Sequence, residues 1–219
     1  AFMDTYDPKT VFSSIDQTGR YAYCNQPVIT KWNLARFAEC LIPFIDNDLK
    51  TAIKKATDKI DEFDRKYEEK WLEMMRNKLG ILDKDKGDEV LILDLLQWMH
   101  LNKADYTNTF CGLTENQFNH EIFKADEFLN WKHKWMQRLS KYKNKKNIVK
   151  KTMQISNPYV IPRNHKVEET LTSAENGDLE KLKEFLKILE NPYQNQLNID
   201  GFKLPAKFEK TGYKTYCGT

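Results

Sequence analysis

The clearest hydrophobic period along this chain is helical. Leu49, Ile53, Ala56, Ile60, Phe63, Tyr67, Trp71 and Met74 recur at steps of four and three, which draws one apolar stripe on a long helix over about 48–79. Asp61–Arg65 and Glu62–Lys66 fall on its wet side at the four-residue spacing of helical ion pairs, and Gly80 is placed to stop it. Upstream, Pro27 fits a first helical position. The helix it opens is predicted to run to about Leu41, with Trp32, Ala35 and Cys40 inward and Pro43 ending it. Residues 1–26 carry Pro8, Gly19 and aromatic residues at irregular spacing and read as an ordered loop.

Downstream of Gly80 a polar loop over 83–87 precedes Asp88. That residue is predicted to cap a helix with Val90, Leu91, Leu95, Trp98 and Met99 inward. A short helix is expected over 105–111. Another is expected over about 126–142, burying Phe128, Leu129, Trp131, Trp135 and Leu139. Asn157-Pro158 breaks the pattern. Two short helices follow, about 165–175 and 179–189, with Gly177 stopping the first and Asp178 capping the second. From Pro192 the tail shows no helical period. The fold class is mainly α, read as a single helical domain over 1–219: loop 1–26, helical bundle 27–189, tail 190–219.

Composition adds little to this picture. A chain of 219 residues is long enough to bury a substantial core. The net charge of +3, from 35 basic and 32 acidic residues, does not by itself imply nucleic acid. No apolar run approaches the ~20 residues that span a bilayer. Cys24, Cys40, Cys111 and Cys217 are far apart with no C-x-x-C pair, which argues against a zinc site or a dense disulfide scaffold.

Two local patterns invite a sharper reading and do not sustain it. Asp83, Asp85, Gly87 and Asp94 resemble a calcium loop, but the glycine is at the fifth place and the twelfth residue is Asp. Lys132 to Lys151 holds nine basic residues and no acid, interleaved with Trp135 and Tyr142. That could be a phosphate or nucleic-acid patch. The preferred reading is a solvated face balanced by acids nearby in space, because no RNA-binding motif accompanies it. The four histidines show no metal-ligand spacing, and Ser13-Ser14 has no histidine placed by any nucleophile motif.

Three blocks carry a family resemblance. The first is Tyr6-Asp7-Pro8 through Ala38, including Asp16 and Gly19-Arg20-Tyr21. The second is Asn157-Pro158 through Asp178, with Arg163-Asn164 and Ala174-Glu175-Asn176-Gly177-Asp178. The third is Asn191-Pro192-Tyr193 with the terminal Cys217-Gly218-Thr219. Asp105-Tyr106-Thr107 and Phe110 fit as well. In order and spacing the chain resembles the selenoprotein O family of kinase-like protein adenylyltransferases. It departs at Ser13-Ser14-Ile15-Asp16, where the family often has Asn-His-Ser-Asp, and at Cys217, where many members carry selenocysteine; roughly 45–155 matches weakly.

The resemblance implies the helical C-terminal lobe of a protein-kinase-like fold, with an activation-segment-like loop at its start and an irregular tail. It implies an enzyme that moves AMP from ATP to Ser, Thr or Tyr of proteins with Mg²⁺. The family's ATP- and Mg²⁺-binding motifs would precede residue 1, so no catalytic, cofactor-binding or metal residue is assigned here, and the chain alone is expected to be inactive. Its partners would be its own N-terminal lobe and protein substrates, with no membrane and no nucleic acid. Its compartment would be mitochondrial in a eukaryote and cytoplasmic in a bacterium.

Asp16, Arg20, Tyr21, Gln26, Trp32 and Asn33 would lie in or beside the activation segment and could shape the floor of a protein-substrate site. The preferred reading makes them anchors: Arg20 pairing a carboxylate, Trp32 filling core, Asn33 bonding backbone. Cys217 and Cys24 are the redox candidates, a tail thiol that could lock the loop. The competing reading is a non-enzymatic helical module that binds anionic partners through 132–151.

Overall fold

The computed structural model describes residues 2–118, 120–196 and 199–206. Among them the chain is mainly helical, and the one β element recorded is an isolated antiparallel bridge between Thr5 and Asp105. The described residues fall into two compact units. One holds the chain up to Asp7 together with Met74 onward; the other is Pro8–Glu73.

The 8–73 unit is a loop followed by a helical hairpin. A short 3-10 turn, Tyr23–Asn25, leads into α1, Gln26–Ile45, and α2, Leu49–Lys78, continues past the unit's end. Asp48 starts α2 by accepting from the Thr51 amide at 2.9 Å and its hydroxyl at 2.7 Å. Lys31 of α1 bonds Asp64 of α2 at 2.6 Å.

Four expectations fail in this unit. Pro43 does not end α1, which continues to Ile45; so near the end a missing N–H forfeits one bond only. Trp32 and Cys40 are exposed and Ala35 is half-buried, whereas Ile29 is buried. The reason is that apolar residues are spread round α1 with Lys31, Asn33, Arg36 and Glu39 scattered among them, so its sequence marks no single inward face. On α2 the inward arc runs through Ala52, Ala56, Ile60 and Phe63, which leaves Leu49, Ile53, Tyr67 and Met74 exposed. Glu62 pairs with Lys66 at 2.6 Å as expected, but Arg65 turns to Glu69 at 2.9 Å rather than to Asp61.

The other unit has a well-filled core. It contains α3 (Asp88–Leu101), α4 (Tyr106–Glu115), α5 (Asp126–Leu139), α6 (Lys146–Ser156), α7 (Asn164–Glu175), α8 (Glu180–Leu189) and the single turn α9 (Asp200–Lys203). An aromatic chain fills the space where α3 meets α5. Trp98 and Phe128 lie 4.7 Å apart by ring centroid, and Trp131 and Trp135 stack at 6.0 Å. Of the three buried indoles, Trp131 donates to Leu91 O (2.8 Å) and Trp135 to Leu79 O (2.9 Å), while the Trp98 donor meets no acceptor among the described residues. A second cluster joins Tyr159, Val160, Ile188 and Ile199 with Cys111, Leu189 and Phe202.

Here the helical pattern was read more closely, with local misses. Val90 and Leu129 are exposed and Leu139 only half-buried. The expected 126–142 helix ends at Leu139 and passes into a 3-10 turn, Ser140–Lys145, inside which Tyr142 leaves helical geometry. Asp105 caps α4 instead of lying in it, accepting from Asn108 N at 2.7 Å, and α4 runs on to Glu115. Asp88 is the first residue of α3, with its carboxylate turned back to the Asp85 amide at 2.9 Å. Helices α6 and α9 were not anticipated.

Gly80 stops α2 as predicted. At φ +70° it lets Ile81 N reach Arg76 O (2.9 Å) and its own N–H reach Asn77 O (3.1 Å), the paired bonds of a Schellman end. A Cβ there would meet Val149 Cγ1 at 2.7 Å and Met153 Sδ at 2.9 Å, so α6 packs directly on the turn. Gly80→Ala is therefore expected to lower the unfolding free energy by about 2–4 kcal/mol in urea denaturation, from left-handed backbone strain plus overpacking. A loss below about 0.5 kcal/mol would show that the turn and α6 do not constrain each other.

Candidate functional site

The residues singled out in the loop do come together. Asp16 organises it by accepting from the amides of Arg20 (2.9 Å) and Tyr21 (2.7 Å), satisfying backbone donors of a turn that Gly19 closes at φ +70°. Gln26 Nε2 donates to Tyr21 O at 2.5 Å, and Asn25 Nδ2 to Gly19 O at 2.7 Å, so the first turn of α1 grips the loop that precedes it. The backbone adds Tyr23 N to Thr10 O and Cys24 N to Pro8 O, at 2.9 and 2.8 Å.

Arg20 does not pair with a carboxylate as expected. Its guanidinium carbon lies 4.8 Å from the Trp32 ring centroid and 5.9 Å from that of Tyr21, while Arg36 approaches the same indole at 5.6 Å. Trp32 does not fill core: it is 48% exposed, an indole flanked by two cations. Asn33 is exposed. The Cys24 thiol is exposed too, and Cys217 lies outside the described residues.

The remaining chemistry lies in the other unit, in three polar clusters. At the first, Arg138 bonds Asp88 Oδ1 (2.8 Å), Asp83 Oδ1 (2.6 Å) and the Tyr142 hydroxyl (2.8 Å), and Tyr142 also bonds Asp83. Lys141 holds Asp85 at 2.7 Å, which keeps that carboxyl at about 2. The acidic loop that resembled a calcium site is thus filled by protein cations. Among the described residues no group of three or more His, Cys, Asp or Glu is placed to hold a metal ion. The same pairs answer the basic stretch: Lys134 meets Asp94 at 3.7 Å and Lys150 meets Glu115 at 2.9 Å.

At the second cluster Arg163, only 1% exposed, bonds Asp4 Oδ1 (2.5 Å), Asp105 Oδ2 (2.8 Å) and Asp105 Oδ1 (3.2 Å). Burial raises the Asp105 carboxyl, and the guanidinium works against that rise.

At the third, the Lys78 ammonium sits against the rings of Phe110 (4.7 Å) and Tyr106 (5.5 Å) and donates to Ser156 O and Asn157 Oδ1, both at 3.2 Å. Burial pulls it down to about 8. Nearby, the Cys111 thiol donates to Pro158 O at 3.0 Å, and burial pushes it up to about 12. Sequence reasoning assigned no site role to Lys78, Asn157, Arg138 or Arg163. Their side-chain hydrogen-bond partners lie 43 to 159 residues away, apart from Tyr142 four residues on from Arg138, so no local spacing announces them.

Comparison with known proteins places this arrangement. The family described as "Protein adenylyltransferase SelO" matches residues 1–190. A protein nucleotidyltransferase YdiU of Pelagibacter ubique is 53% identical over 220 residues, covering all of this chain and 46% of that protein. Those of Clostridium beijerinckii and Nitrosococcus oceani are 48% and 45% identical, again over the whole chain and 45% of each relative. The chain spans about half the length of the curated relatives it matches.

The third cluster predicts an unusual alkaline stability profile. Lys78 titrates lower when folded than when unfolded. The unfolded chain therefore binds more protons between pH 8 and 10.5, and stability rises with pH there. Cys111 titrates higher when folded, and between pH 9 and 12 stability falls on its account. Unfolding free energy should climb by roughly 1 kcal/mol from pH 8 to 9, level off, and fall above 10.5. Lys78→Met should abolish the climb and Cys111→Ala should lessen the fall. A monotonic decline of the parent protein from pH 7.5 would contradict this account.

Proposed function

This chain belongs to the protein adenylyltransferase SelO family, and from that premise we propose that it forms the helical C-terminal lobe of a kinase-like enzyme that transfers AMP from ATP to Ser, Thr or Tyr hydroxyls of proteins. The observation that carries this reading is α1. Its large apolar side chains Val28, Phe37 and Phe44 are exposed, Phe44 by 85%, and exposed apolar surface of this kind marks a place that another layer covers. Relatives about twice as long provide the remaining polypeptide that would cover it. On this reading the partner of α1 is the enzyme's own N-terminal lobe, which would bring the nucleotide site.

The donor chemistry of the present residues supports that division. Phosphoryl and nucleotidyl transfer needs carboxylates free to hold Mg²⁺ and cations free to clamp phosphates. The acidic pairs Asp4/Asp105 and Asp83/Asp88 each close on a guanidinium, where a divalent ion would otherwise stand. They do not fit Mg²⁺, and no step is routed through ATP or Mg²⁺ on this chain. The loop around Asp16 would act as the activation segment. Arg20, Tyr21 and Trp32 would present an exposed cationic and aromatic surface to a protein substrate, with Gln26 bracing them and Asn33 alongside. A Cys24–Cys217 thiol pair would regulate that loop by oxidation, with Mg²⁺ and ATP bound elsewhere in the enzyme. Mitochondrial placement in a eukaryote and cytoplasmic placement in a bacterium complete the reading. The competing anionic-partner module is disfavoured because Lys134, Arg138, Lys141 and Lys150 already face acids.

Incubated alone with labelled ATP and Mg²⁺, residues 1–219 are expected to show no self-modification; label incorporated in a Mg²⁺-dependent way would overturn the assignment. In light scattering the chain is expected to self-associate through α1, and the double variant Phe37→Glu, Phe44→Glu to be monomeric. A clean monomer of the parent chain would show that α1 needs no cover.

A further inference from the structure

The residues that lead into the loop are fastened to the 74–206 unit by one guanidinium. Asp4 and Tyr6 meet Ala104–Tyr106 through two backbone bonds, Tyr6 N to Ala104 O (2.9 Å) and Tyr106 N to Asp4 O (2.8 Å), and Tyr6 stacks on Tyr106 at 5.7 Å. Two bonds on an isolated bridge are a weak hold by themselves. Arg163 supplies what the bridge lacks. It is the residue preceding α7, and its fork reaches Asp105 through both terminal nitrogens and Asp4 through one. Its Nε donor, equally buried, meets no acceptor among the described residues. The side chain is therefore oriented by the two carboxylates at the expense of its own third donor.

We propose that Arg163 is a positioning residue for the segment over 4–7, the stretch of chain that leads into the loop over 8–25: it fixes that segment by holding Asp4 against Asp105. A lysine would neutralise Asp105 but could not span both carboxylates in the same planar geometry. The consequence for AMP transfer rests on reading that loop as the activation segment; the positional claim itself does not.

Hydrogen exchange on the whole chain tests it without any nucleotide, so an inactive protein would leave this inference standing while removing the proposed function. Asp4→Asn leaves the Arg163–Asp105 pair in place. It is expected to speed exchange at the Tyr6 and Tyr106 amides at least tenfold and to speed trypsin cleavage after Lys9 and Arg20, while the amides of α3 and α5 exchange as in the parent. Arg163→Lys is expected to do the same. Parent-like protection at Tyr6 and Tyr106 in Asp4→Asn, or in Arg163→Lys, would overturn the proposal. So would faster exchange in α3 and α5 equal to that at Tyr6, which would make the guanidinium a general support of the fold.

Discussion

The 74–206 unit turns on the meeting of three helix C-termini at Asn157. Lys78 ends α2, Thr114 lies in the last turn of α4, and Asn157 follows the last residue of α6. Such ends carry carbonyls with no partner inside their own helix and a partial negative charge. Asn157, 1% exposed, donates to Lys78 O (2.8 Å) and Thr114 Oγ1 (3.0 Å) and accepts from the Lys78 ammonium. That explains a lysine drawn in among aromatic rings with no ion pair to a carboxylate among the described residues: its counter-charge is the converging carbonyl ends. The compensation is partial, because burial still lowers its affinity for the proton. The same junction orients Pro158, whose carbonyl takes the Cys111 thiol.

The arginine clusters add register more than stability. Arg138 joins two carboxylates at the ends of one loop, Asp83 and Asp88, and Arg163 joins two that are far apart in the chain, Asp4 and Asp105. Taking such groups out of water offsets much of their attraction, so apolar replacements of equal volume could match them energetically. They could not reproduce the geometry. A planar fork accepts carboxylates at fixed angles, and the 83–88 loop and the segment at Asp4 are thereby each given one place on the helical frame.

What the sequence made legible follows from the range of each signal. Helices α2, α3, α5, α7 and α8 were found because their apolar residues repeat within one helix and their ends carry Gly80, Gly177 and Asp178. Asp178 does serve the start of α8, bonding Glu180 N at 3.0 Å. Helix α6 escaped because its inward residues are few, Val149 and Met153 against Gly80, within a lysine-rich stretch. The inward face of α1 could not be read from a helix whose polar residues are scattered among apolar ones. The loop residues were found through family resemblance, but not how they interact. Arg20 lies over Trp32 instead of pairing with a carboxylate among the described residues, because an exposed indole offers a guanidinium a favourable face. Arg163 was quoted only as part of a motif, because Asp4 is 159 positions away from it.

The two units also differ in how completely they enclose their apolar surface. In the 74–206 unit the aromatic series from Trp98 to Trp135 is buried; the indole donors of Trp131 and Trp135 have acceptors, while that of Trp98 has none among the described residues. In the 8–73 unit a two-helix hairpin buries Ile29 and Ala52 while Val28, Phe37, Phe44, Leu49 and Ile53 stay exposed. A two-helix hairpin leaves such side chains without a facing layer. The loop over 8–25 is held to α1 through Gln26 and Asn25 and by its own backbone bonds. Its geometry is thus defined by its own hydrogen bonds, while the helix beneath it still presents apolar surface to whatever completes that layer.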